Sequence, residues 1–359
     1  MKRWVYIYLV PGAVLQSVMV GGGYGTGREV VEFFTRYGLL GGLAGIAIAT
    51  ASIAVVFALS LELARAHGAY DYRSFFRVML GPFWVLYEVL LIALILLVLA
   101  VIGAAAGGLL ETELGLPSAL GVTLVLAMVV ALTFFGRQWV TGVLAWWSIA
   151  LYLVFGAYFV SVINASPDAI GAELARGEIS QGWFVASLEY VFYNITAVPV
   201  ILFAARAIED RRQALVAGSV GAVIAVVPAL LLHLSFATAY PEILEAELPV
   251  YAMLGRLGSA VLTAAYLVVL FGTFIETGIG DVQGILERLD GWRLEVSAKA
   301  LAPKVRALVA GGLMLLAGAL SSIGVIDLIA EGYATLSWGF FFVYVLPLLT
   351  IGLWRIARG

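Results

Sequence analysis

Three groups of residues in this sequence are placed to do chemistry. Gly21, Gly22, Gly23, Tyr24, Gly25, Thr26 and Gly27 stand inside an otherwise apolar stretch. Glycine costs about 1 kcal/mol per helical position relative to alanine, so this run favours unwound backbone. Unwound backbone at membrane depth is tolerated only where it is buried in protein or lines a polar cavity, and its freed N–H and C=O groups then become ligands for a solute or an ion. The second group is Tyr193, Asn194 and Thr196, which supply a phenol, an amide and a hydroxyl just before Pro199. That proline removes a backbone donor and frees a carbonyl one turn earlier. The third is Thr273, Glu276 and Thr277, at spacings of three and four on one helix face. Hydroxyls and a carboxylate there suit a sodium ion, and a buried Glu276 suits a proton equally well.

The first two groups are the candidate substrate site: Gly21, Gly22, Gly23, Tyr24 and Gly25 with Tyr193, Asn194 and Thr196. Arg28 and Glu32 follow the glycine run four residues apart. They form either an ion pair closing the outer end of the helix or a gate, with Arg28 also able to meet a substrate carboxylate. Glu189 and Glu276 would favour a positive group, whereas Arg28 and helix N-termini would favour a carboxylate. A zwitterion satisfies both, which points to an amino acid or amine-like solute. Glu62, Glu88, Asp327 and Glu331 lie near the ends of apolar runs, where long side chains reach the interface. Glu331, followed by Gly332 and Tyr333, is the one of functional interest. Tryptophans such as Trp146, Trp147, Trp183 and Trp338 are expected as interface anchors.

Other chemistry is poorly supplied. The chain has no cysteine and only His67 and His233, which removes most metal and nucleophile sites and leaves no convincing acid–base constellation for an enzyme. No cofactor is expected beyond Na⁺ or H⁺ as coupling ion, and no nucleic-acid partner. The triplet Gly23, Tyr24, Gly25 is that of a potassium-channel filter, so an ion channel or passive facilitator is the alternative. A filter, however, would follow a pore helix between two spans, and this triplet sits within the first.

These groups need elements to carry them. Hydrophobic residues make up 63% of the 359 and charged residues 12%, far from the make-up of a soluble domain. Apolar runs long enough to cross about 30 Å of hydrocarbon recur from end to end. They give ten spans, roughly 5 to 35, 38 to 65, 82 to 110, 117 to 136, 139 to 163, 182 to 206, 212 to 239, 258 to 287, 303 to 322 and 324 to 353. With the N-terminus inside, 16 of the 20 Lys and Arg residues, Lys2, Arg137 and Lys299 among them, fall in cytoplasmic segments. Both termini are therefore expected in the cytoplasm. The outer loops near 164 to 181 and 240 to 257 are lids or connectors, and the inner segments 66 to 81 and 288 to 302 read as short surface helices. Five spans separate the two breaks, an odd number, so the second half enters the bilayer inverted. Such inverted repeats with discontinuous helices are a transporter architecture.

The GGGYGTGRE stretch with Glu32, Phe33 and Phe34, the YNITAVP stretch, the polar face at 273 to 284 and GVIDLIAEGY at 324 to 333 together resemble the YkvI-like membrane proteins. That group falls in the amino acid, polyamine and organocation transporter superfamily. The resemblance spans nearly the whole chain. It implies an all-α fold of ten transmembrane helices in a five-plus-five inverted repeat, the leucine-transporter (LeuT) fold, with helices 1 and 6 discontinuous. It further implies one transporter domain over 1–359, with repeat one about 5–163 and repeat two about 182–353. The protein would be a secondary transporter of the bacterial plasma membrane, embedded in the lipid bilayer and carrying a small-molecule substrate. By motif position, the carbonyls of Gly21 and Tyr24 and the side chains at 276 and 277 would hold a sodium ion. Relatives have a hydroxyl where this chain has Glu276, which raises proton coupling or a carboxylate-assisted cation site instead.

Overall fold

The computed structural model describes residues 3–135, 137–297 and 301–358, with the side chains of 135–148 and 294–297 outside that description. Lys2 and Lys299, and the side chains of Arg137, Trp146 and Trp147, therefore lie outside the described residues. Every described element is helical. Helical segments cover each of the ten expected ranges. Seven of them, or eight if the bent pair 149–165 and 169–176 counts as one, are long and apolar enough to cross a membrane. The chain is a membrane protein.

The first apolar stretch is not one helix. Val10–Met19 ends at Val20, Gly21 is extended, one turn forms over Gly22–Gly25, and a new helix runs over Arg28–Phe33. Gly27 makes the second joint. Its φ of 83° is left-handed, and a Cβ there would lie 2.6 Å from the Phe236 ring, so both backbone and packing require glycine. The stretch at 195 behaves differently. The Trp183–Asn194 α-helix continues without a gap but tightens to 3₁₀ geometry over Ile195–Ala207. A 3₁₀ run of this length is unusual and marks local strain or a hinge. Asn194 Nδ2 donates to the Tyr190 carbonyl at 3.0 Å and Thr196 Oγ1 to the Tyr193 carbonyl at 2.6 Å, which keeps the turn wound.

Small residues let the long helices approach closely. A Cβ on Gly218 of the Arg211–Ala237 helix would fall 2.5 Å from the backbone of Ala58, on the Gly38–His67 helix. One on Gly12 would fall 2.5 Å from Gly221. In hydrocarbon, where no hydrophobic effect drives helices together, such close backbone contact supplies the packing energy. Buried polar groups reinforce it. His233 Nε2 donates to the Leu39 carbonyl at 3.0 Å, which leaves Nδ1 to accept from the Thr35 hydroxyl at 3.0 Å.

One element departs from expectation. The segment 288 to 302 is not a separate surface helix, because the Ala260–Ser297 helix continues straight through its first part. Gly291 alone does not stop it, and Arg73 packs against that glycine while donating to the Arg288 carbonyl at 3.2 Å. The other inner segment does contain a surface helix, Tyr72–Leu80, capped by Asp71, which accepts from the Arg73 and Ser74 backbone N–H groups at 3.0 Å each.

Candidate functional site

The glycine break, the Tyr193 to Thr196 cluster and the 273 to 281 face meet around one cavity of about 470 Å³. Gly21, Gly22, Gly23 and Tyr24 line it from the first stretch, Tyr193, Asn194 and Thr196 from the second, and Thr273, Glu276 and Thr277 from the third. The joint between first and third is direct: the Gly22 backbone N–H donates to Thr277 Oγ1 at 3.0 Å. This donor is one that the break released from helical bonding, and Thr277 satisfies it from 255 residues away.

The carbonyls of the break are partly engaged. Gly21 O accepts from Gly25 N–H at 3.0 Å and Tyr24 O from Gly27 N–H at 2.9 Å. A carbonyl has two acceptor positions, so Gly21 O keeps one for a ligand, whereas Tyr24 O also takes the Thr26 N–H. Gly25 does not line the cavity, and its carbonyl accepts from Tyr266 Oη at 3.1 Å. The carbonyls of the Gly23, Tyr24, Gly25 triplet are thus spent on local turns and a neighbouring helix, unlike the ring of inward carbonyls that a filter needs.

Arg28 and Glu32 lie beyond the cavity on its far side and are buried. Arg28 Nη2 donates to Glu32 Oε2 at 2.8 Å, while Nη1 donates to the Leu244 and Ala246 carbonyls at 2.7 and 3.1 Å. Arg36 also pairs with Glu32. The Val250 N–H donates to the Thr26 carbonyl at 3.1 Å, so the 240s loop is tied down over the break twice. In the other direction the lining runs to Ser17 on the first stretch and to Gly284 and Arg288 on the Ala260–Ser297 helix.

The lining residues that carry no site assignment in the sequence include four with titratable side chains of interest, Glu29, Asp281, Arg288 and Tyr333. Glu29 is 5% exposed and accepts a hydrogen bond from Tyr193 Oη. A signal for it exists in the sequence: Arg28 and Glu32 satisfy each other, leaving Glu29 as the unpaired charge, with Phe33 four residues on. Asp281 Oδ2 is buried without a hydrogen-bond partner among the described residues. Arg288 Nε stands 3.3 Å from Glu88 Oε1. Tyr333 sits in a widened π-helical turn over Leu328–Tyr333, a feature often found at functional sites. Its ring packs 4.9 Å from that of Tyr193. Glu331 is exposed and does not line the cavity, and Glu189 is held instead by the Trp338 indole N–H at 2.9 Å. Among the described residues no three His, Cys, Asp or Glu side chains stand together as a metal-binding group.

No protein-family model matches the chain. It is similar to the membrane protein YkvI of Bacillus subtilis (strain 168), with 21% identity over 288 residues covering 80% of this chain and 82% of that one. The resemblance carried by the sequence motifs is borne out by this relative. Among solved structures it is similar to a variant of the Eremococcus coleocola manganese transporter, at a TM-score of 0.60 and 17% identity over 96% of this chain and 78% of that one. It is also similar to a Na⁺-coupled sialic acid symporter in a substrate-bound, outward-open state, at 0.51 and 14% over 96% and 87%. The chain has the LeuT fold.

Proposed function

We propose that this protein is a secondary active transporter that moves a small solute, an amino acid or an amine-like compound, across the bacterial plasma membrane by alternating access. The observation that carries the reading is the cavity itself. Three stretches far apart in sequence, each supplying oxygen or backbone ligands, line one space of about 470 Å³, a size suited to a small solute. The fold shared with the two transporters supports it.

Under this reading the ten helical stretches are ten spans in one domain over 1–359, repeated as about 5–163 and 182–353, with both termini cytoplasmic. Helix 1 is discontinuous through its gap and helix 6 through its change of winding at Ile195. The cavity runs toward Arg288 on the basic side, while Arg28, Glu32 and the 240s loop close the other, which corresponds to an inward-facing state with an outer gate. Substrate meets Gly21 to Gly25, Tyr193, Asn194 and Thr196. The coupling ion, Na⁺ or H⁺, is handled by Gly21, Tyr24, Thr273, Glu276 and Thr277. Manganese is not proposed as cargo, since among the described residues no three His, Cys, Asp or Glu side chains stand together as a metal-binding group.

The test is uptake by proteoliposomes offered a panel of radiolabelled amino acids and amines, with sodium and proton gradients imposed separately. Accumulation that requires one of the two gradients is expected. Uptake indifferent to both would remove the coupling, and currents at channel rates would remove alternating access altogether.

A further inference from the structure

Glu29 is a carboxylate that sits inside the protein and still lines the substrate space. It is 5% exposed, lines the cavity, and is paired with no basic side chain among the described residues. The arginines nearest in sequence are turned elsewhere, Arg28 to Glu32 and the loop carbonyls and Arg36 to Glu32. The titratable groups packed around it are phenols: Tyr193, which donates to Oε2, with Tyr190 on the same helix, Tyr24 on its own stretch and Tyr333 from the last helix. Glu276 and Asp281 line the same cavity as further carboxylates, and Arg288, which lines it too, stands by Glu88, so among the described residues no basic side chain pairs with Glu29.

An isolated carboxylate anion taken out of water is strongly unfavourable. A single phenol hydrogen bond offsets only part of that. The remaining charge has to be neutralised, and the cavity allows two ways. A proton can bind the carboxyl, or a cation can enter beside it. Access for the second runs past Gly23, where a Cβ would lie 3.0 Å from Glu29 Oε1 and 3.4 Å from Tyr333 Oη. The absent side chain leaves the carboxylate open to the cavity at that point. Tyrosine rings flank the opening, and their faces attract organic cations.

We propose that Glu29 is a single-cation site that holds either a proton or the ammonium group of a primary amine, so that the protein exchanges protonated amines for protons. This rests on the transport reading. The balance is simple: as R–NH₃⁺ enters, the Glu29 O–H bond breaks and the proton leaves to water on the side the cavity faces, with no bond of the amine altered. Both loaded forms are neutral at Glu29, and the empty ionised form is the unfavourable one. The carrier therefore crosses between its two faces loaded with one cation or the other, and each cycle moves no net charge.

The experiment uses the full chain in detergent in weak buffer, titrated with butylamine, putrescine and phenethylamine, with butanol and alanine as the neutral and zwitterionic comparisons. Amine binding is followed by thermal shift and proton release by a pH dye. About one proton should be released per bound amine, and affinity should rise about tenfold per pH unit where the carboxyl is still protonated. Glu29→Gln should abolish both binding and release. Tyr193→Phe removes the bond that favours the ionised carboxylate and should move the binding profile to higher pH. Gly23→Ala should weaken the amine while leaving the carboxyl in place. Binding by none of the amines, binding without proton release, or a Tyr193→Phe profile that does not move would each overturn the proposal. In proteoliposomes the two readings separate. Gradient-driven uptake that survives Glu29→Gln keeps the transporter and discards the exchange site, whereas proton-releasing binding without uptake keeps the site and discards transport.

Discussion

At the scale of single residues, Thr277 is the most economical link between the two halves of the chain. Its hydroxyl accepts the Gly22 N–H that the break sets free, at 3.0 Å. Thr277→Val keeps the shape and removes the acceptor, leaving a part-buried donor unpaired, which costs about 1–3 kcal/mol. A lowered melting temperature is expected for Thr277→Val and near-normal melting for Thr277→Ser, and equal melting of the two would mean that the bond carries no weight. Sequence patterns made Thr277, Glu276 and the glycine run legible, because helix-breaking residues and carboxylates in apolar stretches stand out by type alone. Glu29 and Tyr333 were not legible in the same way. Glu29 is one position from Arg28 and reads as part of a charged helix end; that Arg28 and Glu32 pair and leave it over is a sequence signal, but its contact with Tyr193 comes from the three-dimensional path of the chain.

At the scale of elements, glycine has opposite uses in different helices. In the first stretch it breaks the helix, and at Gly12, Gly218 and Gly221 it stays helical and brings axes together. Type alone does not separate these uses; clustering does, since five glycines in seven positions cannot hold a helix whereas isolated ones can. Gly218→Ala should force the Gly38–His67 and Arg211–Ala237 helices apart, because the new Cβ meets backbone at 2.5 Å rather than a side chain that could move. Overpacking of this kind costs about 1–3 kcal/mol. Thermal unfolding in detergent checks it, with Gly156→Ala, where nothing lies within 4 Å, as the comparison. Helix starts and stops were readable to a few residues, but changes of winding were not. The 3₁₀ run after Asn194 carries side chains folded back onto carbonyls three and four residues earlier, a local pattern that composition alone does not convert into a winding. Ala260–Ser297 runs on past Gly291, where Arg73 from another element donates to the Arg288 carbonyl, a contact outside the local sequence.

At the scale of the whole molecule, the asymmetry of closure is the property that transport needs. One side of the break is sealed by two independent ties, the Arg28 guanidinium on the Leu244 and Ala246 carbonyls and the Val250 N–H on the Thr26 carbonyl. The other side leads along Ser17 and Gly284 toward the basic face. The chain has no cysteine, so single-cysteine variants report accessibility without background. In right-side-out vesicles a charged, impermeant thiol reagent should label Glu242→Cys from outside, whereas Ser17→Cys and Gly284→Cys should label only when the vesicles are inverted. Adding Arg28→Met cuts the tie to the loop while keeping an apolar side chain of similar reach, and so favours opening of the sealed side. Ser17→Cys should then label more slowly in inverted vesicles, since a two-state carrier that opens outward more often opens inward less. If Arg28→Met leaves that rate unchanged, Arg28 is a structural clamp rather than part of the gate. If Glu242→Cys labels from the same side as Ser17→Cys, the alternating topology that places the two ends of the cavity on opposite faces of the membrane is wrong.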